Sequence, residues 1–79
     1  MTLTDIITID PEIVSGIPVF KGTRVPIQSL FWHLEKGISI DEFLEDFSTV
    51  NREQVYALLE LVGKSFTSKK IIKLYETPA

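Results

Sequence analysis

The stretch that decides the start of the fold is Gly16-Ile17-Pro18-Val19-Phe20-Lys21-Gly22-Thr23-Arg24-Val25-Pro26. It contains two short extended runs, residues 17–20 and 23–25, which are joined by Lys21-Gly22. Gly22 can adopt the positive φ that tight hairpins require, so the pattern predicts a β-hairpin with its tip at this glycine. Pro18 has no N–H to donate and therefore predicts an edge strand or the start of a strand.

On the N-terminal side of this stretch, residues 5–9 alternate between polar and apolar side chains and predict a further short strand. On the C-terminal side, Pro26 suits the first turn of a helix, and Gly37 suits the left-handed residue that ends one. The residues between them place four apolar side chains at helical spacing: Ile27, Leu30, Phe31 and Leu34. This face predicts the first long helix.

Two more helices are predicted downstream from their capping signals. Ser39 and Glu42 form a capping box at the start of one helix, and Asn51 and Gln54 form a variant of that box at the start of the next. The second of these helices continues an apolar face at helical spacing: Val55, Leu58, Leu59, Val62 and Phe66. A break of about three residues between the two helices is typical of a helix-turn-helix.

The predicted fold class is therefore mainly α with a small N-terminal β-hairpin. Residues 1–66 are expected to form one domain, a hairpin followed by a bundle of three to four helices that contains the helix-turn-helix. Residues 67–79 are expected to form a basic, apolar C-terminal tail that docks on the bundle or on a partner. For residues 68–76 the pattern fits a helix or a strand equally well.

Composition excludes several classes of protein. The chain has 79 residues, no cysteine and one histidine, which rules out a disulfide framework and a thiolate zinc site. We expect no cofactor and no bound metal. No apolar run approaches the length of a membrane span, and the N-terminus does not resemble a signal peptide, so we expect no membrane association and a cytoplasmic location.

The charge of the chain is unevenly distributed. The net charge is −3, which argues against coating nucleic acid through bulk charge. Residues 1–63 carry ten acidic and four basic side chains, whereas residues 64–79 carry four lysines and one glutamate. An acidic body with a basic end suggests a partner for one of the two ends.

The sequence offers few residues that could act together as an acid, a base or a nucleophile, and we expect no enzyme activity. His33 has no carboxylate on the same helical face and is interpreted as a half-buried or surface histidine. Two acidic pairs, residues 41–42 and 45–46, are interpreted as a solvated helix face. Gly63-Lys64-Ser65 resembles the end of a phosphate-binding loop, but the glycine that this loop requires five residues earlier is Leu58.

Candidate DNA contacts lie in two places. The start of the last helix carries side chains of the kinds that contact base edges, and the hairpin tip carries two cations. These candidates are Asn51, Arg52, Gln54 and Tyr56 on the helix, and Lys21 and Arg24 on the tip. Two alternatives stay open: Arg24 pairs with Asp10 or Glu12 in a purely structural role, and the helix serves as a protein-binding scaffold.

The C-terminal tail is the stronger candidate for partner binding. It interleaves cations with large apolar groups, an arrangement that favours docking over a free, solvated tail. The candidate residues are Lys69, Lys70, Ile71, Ile72, Lys73, Leu74 and Tyr75.

Three segments give the chain a resemblance to a known family: Ile9-Asp10-Pro11-Glu12-Ile13, Gly16-Ile17-Pro18-Val19 and Gly22-Thr23-Arg24-Val25-Pro26. They resemble the signature of a bacterial family known as domain of unknown function 433, and the resemblance extends over about residues 5–66. It implies a small homeodomain-like or winged-helix-like bundle. The resemblance also implies an antitoxin of the VapB kind, which silences a PIN-like ribonuclease and binds its own operator DNA. A homodimer is expected for a separate reason, because so small a core with an exposed hairpin edge favours pairing. It transfers no catalytic residue, and the tail lies outside it.

Two other functions remain alternatives to the antitoxin. One is a stand-alone DNA-binding transcriptional regulator, which predicts DNA affinity with a strong salt dependence. The other is a self-associating adaptor with neither a toxin nor a nucleic-acid partner.

Overall fold

Four α-helices, one short 3-10 helix (Val14–Gly16) and a two-stranded sheet make up the regular structure in the part of the chain that the computed structural model describes, namely residues 1–67, 69, 72 and 73. The sheet consists of β1 (Ile7–Thr8) and β2 (Val19–Phe20). The helices are α1 (Leu3–Ile6), α2 (Ile27–Glu35), α3 (Ile40–Asp46) and α4 (Arg52–Thr67). The fold is thus mainly helical with a small N-terminal antiparallel hairpin, as predicted. No helix in these residues has both the length and the apolar character needed to cross a membrane.

The strand pairing differs from the one expected from sequence. β1 and β2 are antiparallel, with Ile7 opposite Phe20 and Thr8 opposite Val19. The run 23–25 forms no strand and instead closes a turn, in which the Phe20 N–H donates to the Val25 carbonyl at 2.9 Å. Gly22 lies in this turn and has the predicted positive φ, 79°. Helix α2 begins at Ile27, directly after this turn, so residues 23–25 are too few to form a strand with further hydrogen bonds to β2.

The first predicted strand, residues 5–9, is shorter than expected because a helix precedes it. The Asp5 carboxylate accepts hydrogen bonds from the Thr2 N–H at 2.9 Å and from the Thr2 hydroxyl at 2.8 Å, which starts helix α1. These two bonds hold the pKa of the Asp5 carboxyl below its usual value of 3.8. Only Ile7 and Thr8 remain as strand.

The predicted helix boundaries are confirmed by their caps. Gly37 follows α2 with a φ of 78°, and the Ser39 hydroxyl accepts from the Glu42 N–H at 3.1 Å at the start of α3. At the start of α4, the Gln54 N–H donates to the Asn51 side chain at 2.8 Å, and the Asn51 N–H donates to the Gln54 side chain at 3.2 Å. Both halves of the box predicted for Asn51 and Gln54 are therefore formed.

The core lies where the hairpin and the helices meet. Its buried side chains are Ile6, Phe20, Leu30, Phe43, Val50, Val55 and Leu58. Helix α2 is held on α3 through His33, whose ring packs edgewise on Phe43 and Phe47 at centroid distances of 5.3 and 5.4 Å. The His33 Nδ1 donates to the Ser29 carbonyl at 2.6 Å. This half-buried, structural position agrees with the interpretation from sequence.

The end of α4 departs from its predicted apolar face. Phe66 is 70% exposed, because residues 63–67 extend beyond the part of the helix that packs on the core. Lys69, Ile72 and Lys73 are helical and exposed. Ser68, Lys70, Ile71, Leu74 and Tyr75 lie outside the described residues, so the choice between helix and strand is answered, as helix, only at positions 69, 72 and 73.

Candidate functional site

The turn between β2 and α2 is held together by its own side chains and backbone. The Thr23 hydroxyl donates to the Phe20 carbonyl at 2.8 Å and accepts from the Val25 N–H at 3.0 Å. Gly22 supplies the left-handed residue that the turn needs. Gly22 and Thr23 therefore have a structural role in the turn, whereas the side chain of Arg24 forms none of these stabilising bonds.

Arg24 is exposed and extends from this turn. Among the residues that the structure describes, neither Asp10 nor Glu12 forms an ion pair with it. Asp10 instead accepts the Glu12 N–H at 2.9 Å within its own turn. The structural alternative for Arg24 is therefore not realised, and its guanidinium is available to a partner.

Lys21, the other cation at the tip, differs from Arg24. The pKa of Asp5 is lowered chiefly by the hydrogen bonds from Thr2, and the charge of Lys21 adds a smaller contribution in the same direction. The Lys21 carbonyl accepts a hydrogen bond from the Gln54 side-chain amide at 3.0 Å. This bond connects the turn to the start of α4 and brings the two predicted DNA-contact regions together.

A cavity of about 590 Å³ opens beside Arg24. Its walls are mostly apolar and include Ile13, Val25 and Phe47, while Arg24 and Thr49 contribute polar atoms. An apolar cavity with one cation among its lining residues suits a ligand that is itself apolar with a single negative group.

A second concavity, the Trp32 groove, lies on the other side of Pro26. It measures about 450 Å³, and its lining is almost entirely apolar: Ile17, Pro18, Pro26, Ile27, Phe31 and Trp32, with Gln28 as the polar member. Trp32 is 55% exposed and Ile17 is 41% exposed. Sequence reasoning missed this groove. A signal for it existed, since the chain's sole tryptophan lies outside the apolar face that α2 turns to the core.

The predicted DNA-contact residues at the start of α4 are largely engaged within the chain. Gln54 is only 5% exposed, and its amide bonds both Asn51 and the Lys21 carbonyl. This burial contradicts the prediction that Gln54 faces a base edge: its side chain closes the cap and holds the turn. Asn51 is exposed, but its side chain serves the same cap.

Arg52 and Tyr56 are exposed on the same helix face but are bound to each other and to α3. The Arg52 guanidinium donates to the Tyr56 hydroxyl at 3.4 Å and lies 2.6 Å from the Asp41 carboxylate. The hydrogen bond to Tyr56 and the bond and charge of Asp41 raise the pKa of Arg52 above its ordinary value. Asp41 thus neutralises the cation that this face offers to a phosphate.

The remaining candidate residues are the acidic side chains of α3, the lysine of the phosphate-loop-like motif and the lysines of the tail. The acidic side chains of α3 are exposed, and the described residues contain no group of three or more His, Asp or Glu side chains that could hold a metal ion. Lys64 pairs with Glu60 at 3.1 Å on α4, away from any phosphate-loop geometry. Lys69 and Lys73 are exposed beyond α4.

Comparison with known proteins places this sequence in a family. Residues 7–61 match the family described as protein of unknown function (DUF433). One relative, uncharacterized protein y4eO of Sinorhizobium fredii, is 33% identical over 51 residues; the alignment covers 65% of this chain and 23% of that protein. No solved structure matches the chain. Since the matched residues run from β1 into α4 and make up more than half of the chain, the protein belongs to the DUF433 family.

Proposed function

We propose that this chain is an antitoxin-like, protein-binding module that neutralises a PIN-like ribonuclease in the cytoplasm. The observation that supports it most is the exposed Trp32 groove, which shares Pro26 with the cavity that Arg24 lines. Tryptophan and arginine are the residues that dominate the binding energy of protein interfaces. A small domain that leaves an indole in solvent beside an apolar groove has the features of one half of an interface.

The identity of the partner comes from the family resemblance rather than from the groove. DUF433 proteins resemble antitoxins that act on PIN-like nucleases, which hold their metal with clustered carboxylates. A lysine placed among such carboxylates competes with the metal and with the RNA phosphate. Lys69 and Lys73 are exposed beyond α4, and Lys70 lies between them in the sequence, so this end of the chain is the proposed inhibitory segment.

DNA binding remains a second candidate function, with the hairpin tip as its stronger contact. Arg24 is exposed and has no ion pair among the described residues, which favours phosphate contact there over the Asp41-bound Arg52. A homodimer that binds operator DNA is part of this candidate function.

The test uses the full chain and a purified PIN-like nuclease. We expect the two to co-purify in equal amounts and the chain to inhibit RNA cleavage. Lys69→Gln/Lys73→Gln is expected to weaken inhibition about tenfold, equivalent to about 1.4 kcal/mol of binding energy. Lys36→Gln/Lys64→Gln removes the same charge elsewhere and serves as the matched control.

Two outcomes would contradict the proposal. One is the absence of any complex between the chain and the nuclease. The other is a complex in which the nuclease cleaves RNA as fast as it does alone. Equal inhibition by both double variants would retain the antitoxin but reject the lysines as its inhibitory segment.

A further inference from the structure

We infer that the Trp32 groove and the cavity beside Arg24 form one binding surface for an apolar segment of a partner protein that carries a carboxylate. The apolar side chains of the segment lie along the groove, and its carboxylate pairs with the Arg24 guanidinium. The inference rests on the proposed function in one respect, that the partner is a protein.

The two concavities are adjacent because Pro26 lines both of them. Pro26 caps the N-terminus of α2 and forms a bridge with Val19 of the sheet. The next residue, Ile27, donates its N–H to the Pro18 carbonyl at 3.0 Å, which fixes the opposite wall of the groove. The surface is therefore formed before a partner arrives, and binding does not require the walls to be ordered.

The distribution of charge around the surface indicates that the partner segment carries a carboxylate. Residues 1–63 have a net charge of −6, so most of the surface repels an acidic segment. Arg24 is the exception: it is exposed, and Asp10 and Glu12, the acids nearest in sequence on its N-terminal side, form no ion pair with it within the described residues. A guanidinium next to apolar walls forms a stronger bond with a carboxylate than it does in open water.

Charge also determines the direction of the segment. Glu35 follows Trp32 by three residues on α2, which places it on the same side of the helix. A carboxylate bound at that end of the groove would meet a like charge. The acidic group of the partner therefore lies at the Arg24 end, and the apolar groups lie toward Trp32.

The test probes the surface without the nuclease. Random 12-residue peptides displayed on phage are selected on the full chain, and the enriched peptides are synthesised. Trp32 is the sole tryptophan, so its fluorescence reports occupancy of the groove directly. We expect the enriched peptides to combine aromatic or aliphatic residues with an Asp or Glu, and to shift the emission of Trp32 to the blue.

A charge exchange then tests the pairing with Arg24. Arg24→Glu is expected to weaken peptide binding at least tenfold, and replacing the acid of the peptide by lysine is expected to restore binding to that variant. Lys36→Glu changes the net charge of the chain by the same amount and is expected to alter binding less than threefold. Far-ultraviolet circular dichroism confirms that each variant is folded.

Three results would overturn the inference. These are a selection that enriches no peptide, enriched peptides without an acid, or equal affinity of wild type and Arg24→Glu for the same peptide. A blue shift that grows with the protein's own concentration would also overturn it, because a second copy would then occupy the groove. Peptides that bind as expected, together with a nuclease that does not bind, would reject the proposed toxin and leave the surface intact.

Discussion

The β2–α2 turn and the start of α4 carry similar polar residues, yet they use them in opposite ways. At the start of α4 the side chains of Asn51, Arg52 and Gln54 are all bound to groups of the same chain. In the turn, Gly22 provides the left-handed backbone, the Thr23 hydroxyl provides the structural bonds, and Arg24 is left exposed. Residue type alone therefore does not identify a contact surface; what matters is which polar groups the fold leaves without a partner.

The largest expected effect comes from breaking the bond that joins these two regions. Gln54→Glu keeps an oxygen that can accept from the Asn51 N–H. It loses the amide that donates to the Lys21 carbonyl, and it places a buried carboxylate next to that carbonyl oxygen. We expect a loss of about 3 kcal/mol in the free energy of unfolding. Urea denaturation followed by circular dichroism measures it.

Gln28→Glu is the matched control, because it makes the same change at an exposed position of α2. It is expected to change the unfolding free energy by less than about 0.5 kcal/mol. Unfolding of both variants at the same urea concentration would show that the amide of Gln54 does not hold the turn.

A smaller effect is expected inside the turn. Thr23→Val removes the hydroxyl that donates to the Phe20 carbonyl and accepts from the Val25 N–H. We expect a cost of about 1–2 kcal/mol in the free energy of unfolding, since both groups are part-buried. Thr23→Ser retains the hydroxyl and is expected to stay within about 0.5 kcal/mol of wild type by urea denaturation. A loss in Thr23→Ser without a loss in Thr23→Val would assign the contribution to the methyl group instead.

The availability of each cation can be compared with nonspecific duplex DNA as a polyanionic probe. Arg24→Gln is expected to reduce the salt dependence of binding by up to about one charge, whereas Arg52→Gln changes it little because Asp41 already neutralises Arg52. Fluorescence anisotropy between 50 and 200 mM salt, about the range in which phosphate contacts weaken strongly, measures the slopes. Asp41→Asn is expected to release Arg52 and strengthen binding. Equal slopes for the two arginine variants would remove the distinction between the regions.

The smallest expected effect is a change in the pKa of Asp5 when the charge of Lys21 is removed. The folded-state pKa of Asp5 lies below its usual value of 3.8, chiefly through the hydrogen bonds from Thr2. Its contribution to stability is therefore complete above that pH and is lost as the pH falls through the lower, folded value. Lys21→Gln is expected to raise the pKa of Asp5 slightly, as measured by NMR titration of its carboxyl carbon. An unchanged pKa would place the charge of Lys21 away from Asp5.

The helices could be predicted because their signals are local. Ser39 with Glu42 and Asn51 with Gln54 define helix starts within four residues, and the structure forms those caps. The pairing of β1 with β2 depends on residues more than ten positions apart, which no local pattern specifies. The start of α1 did have a local signal, Thr2 with Asp5, which the alternation of residues 5–9 obscured.

The candidate site was less predictable because it depends on what remains after folding. Arg24 was identified from sequence, but its freedom from Asp10 and Glu12 is a result of three-dimensional structure. Gln54 has the right side chain for a base contact, and only its burial shows that it is used elsewhere. Trp32 lies outside the apolar face of α2, and the sequence does not show that such a residue lines a groove rather than lying in open solvent.

The position of His33 gives the molecule a built-in spectroscopic marker. Its Nδ1 donates to the Ser29 carbonyl, which fixes the orientation of the ring, and the ring lies against two phenylalanine rings of the α3 region. The circulating π-electrons of Phe43 and Phe47 displace the resonances of its carbon-bound protons from their free positions. As the chain has a single histidine, one pair of proton signals follows the docking of α2 on α3 without any label.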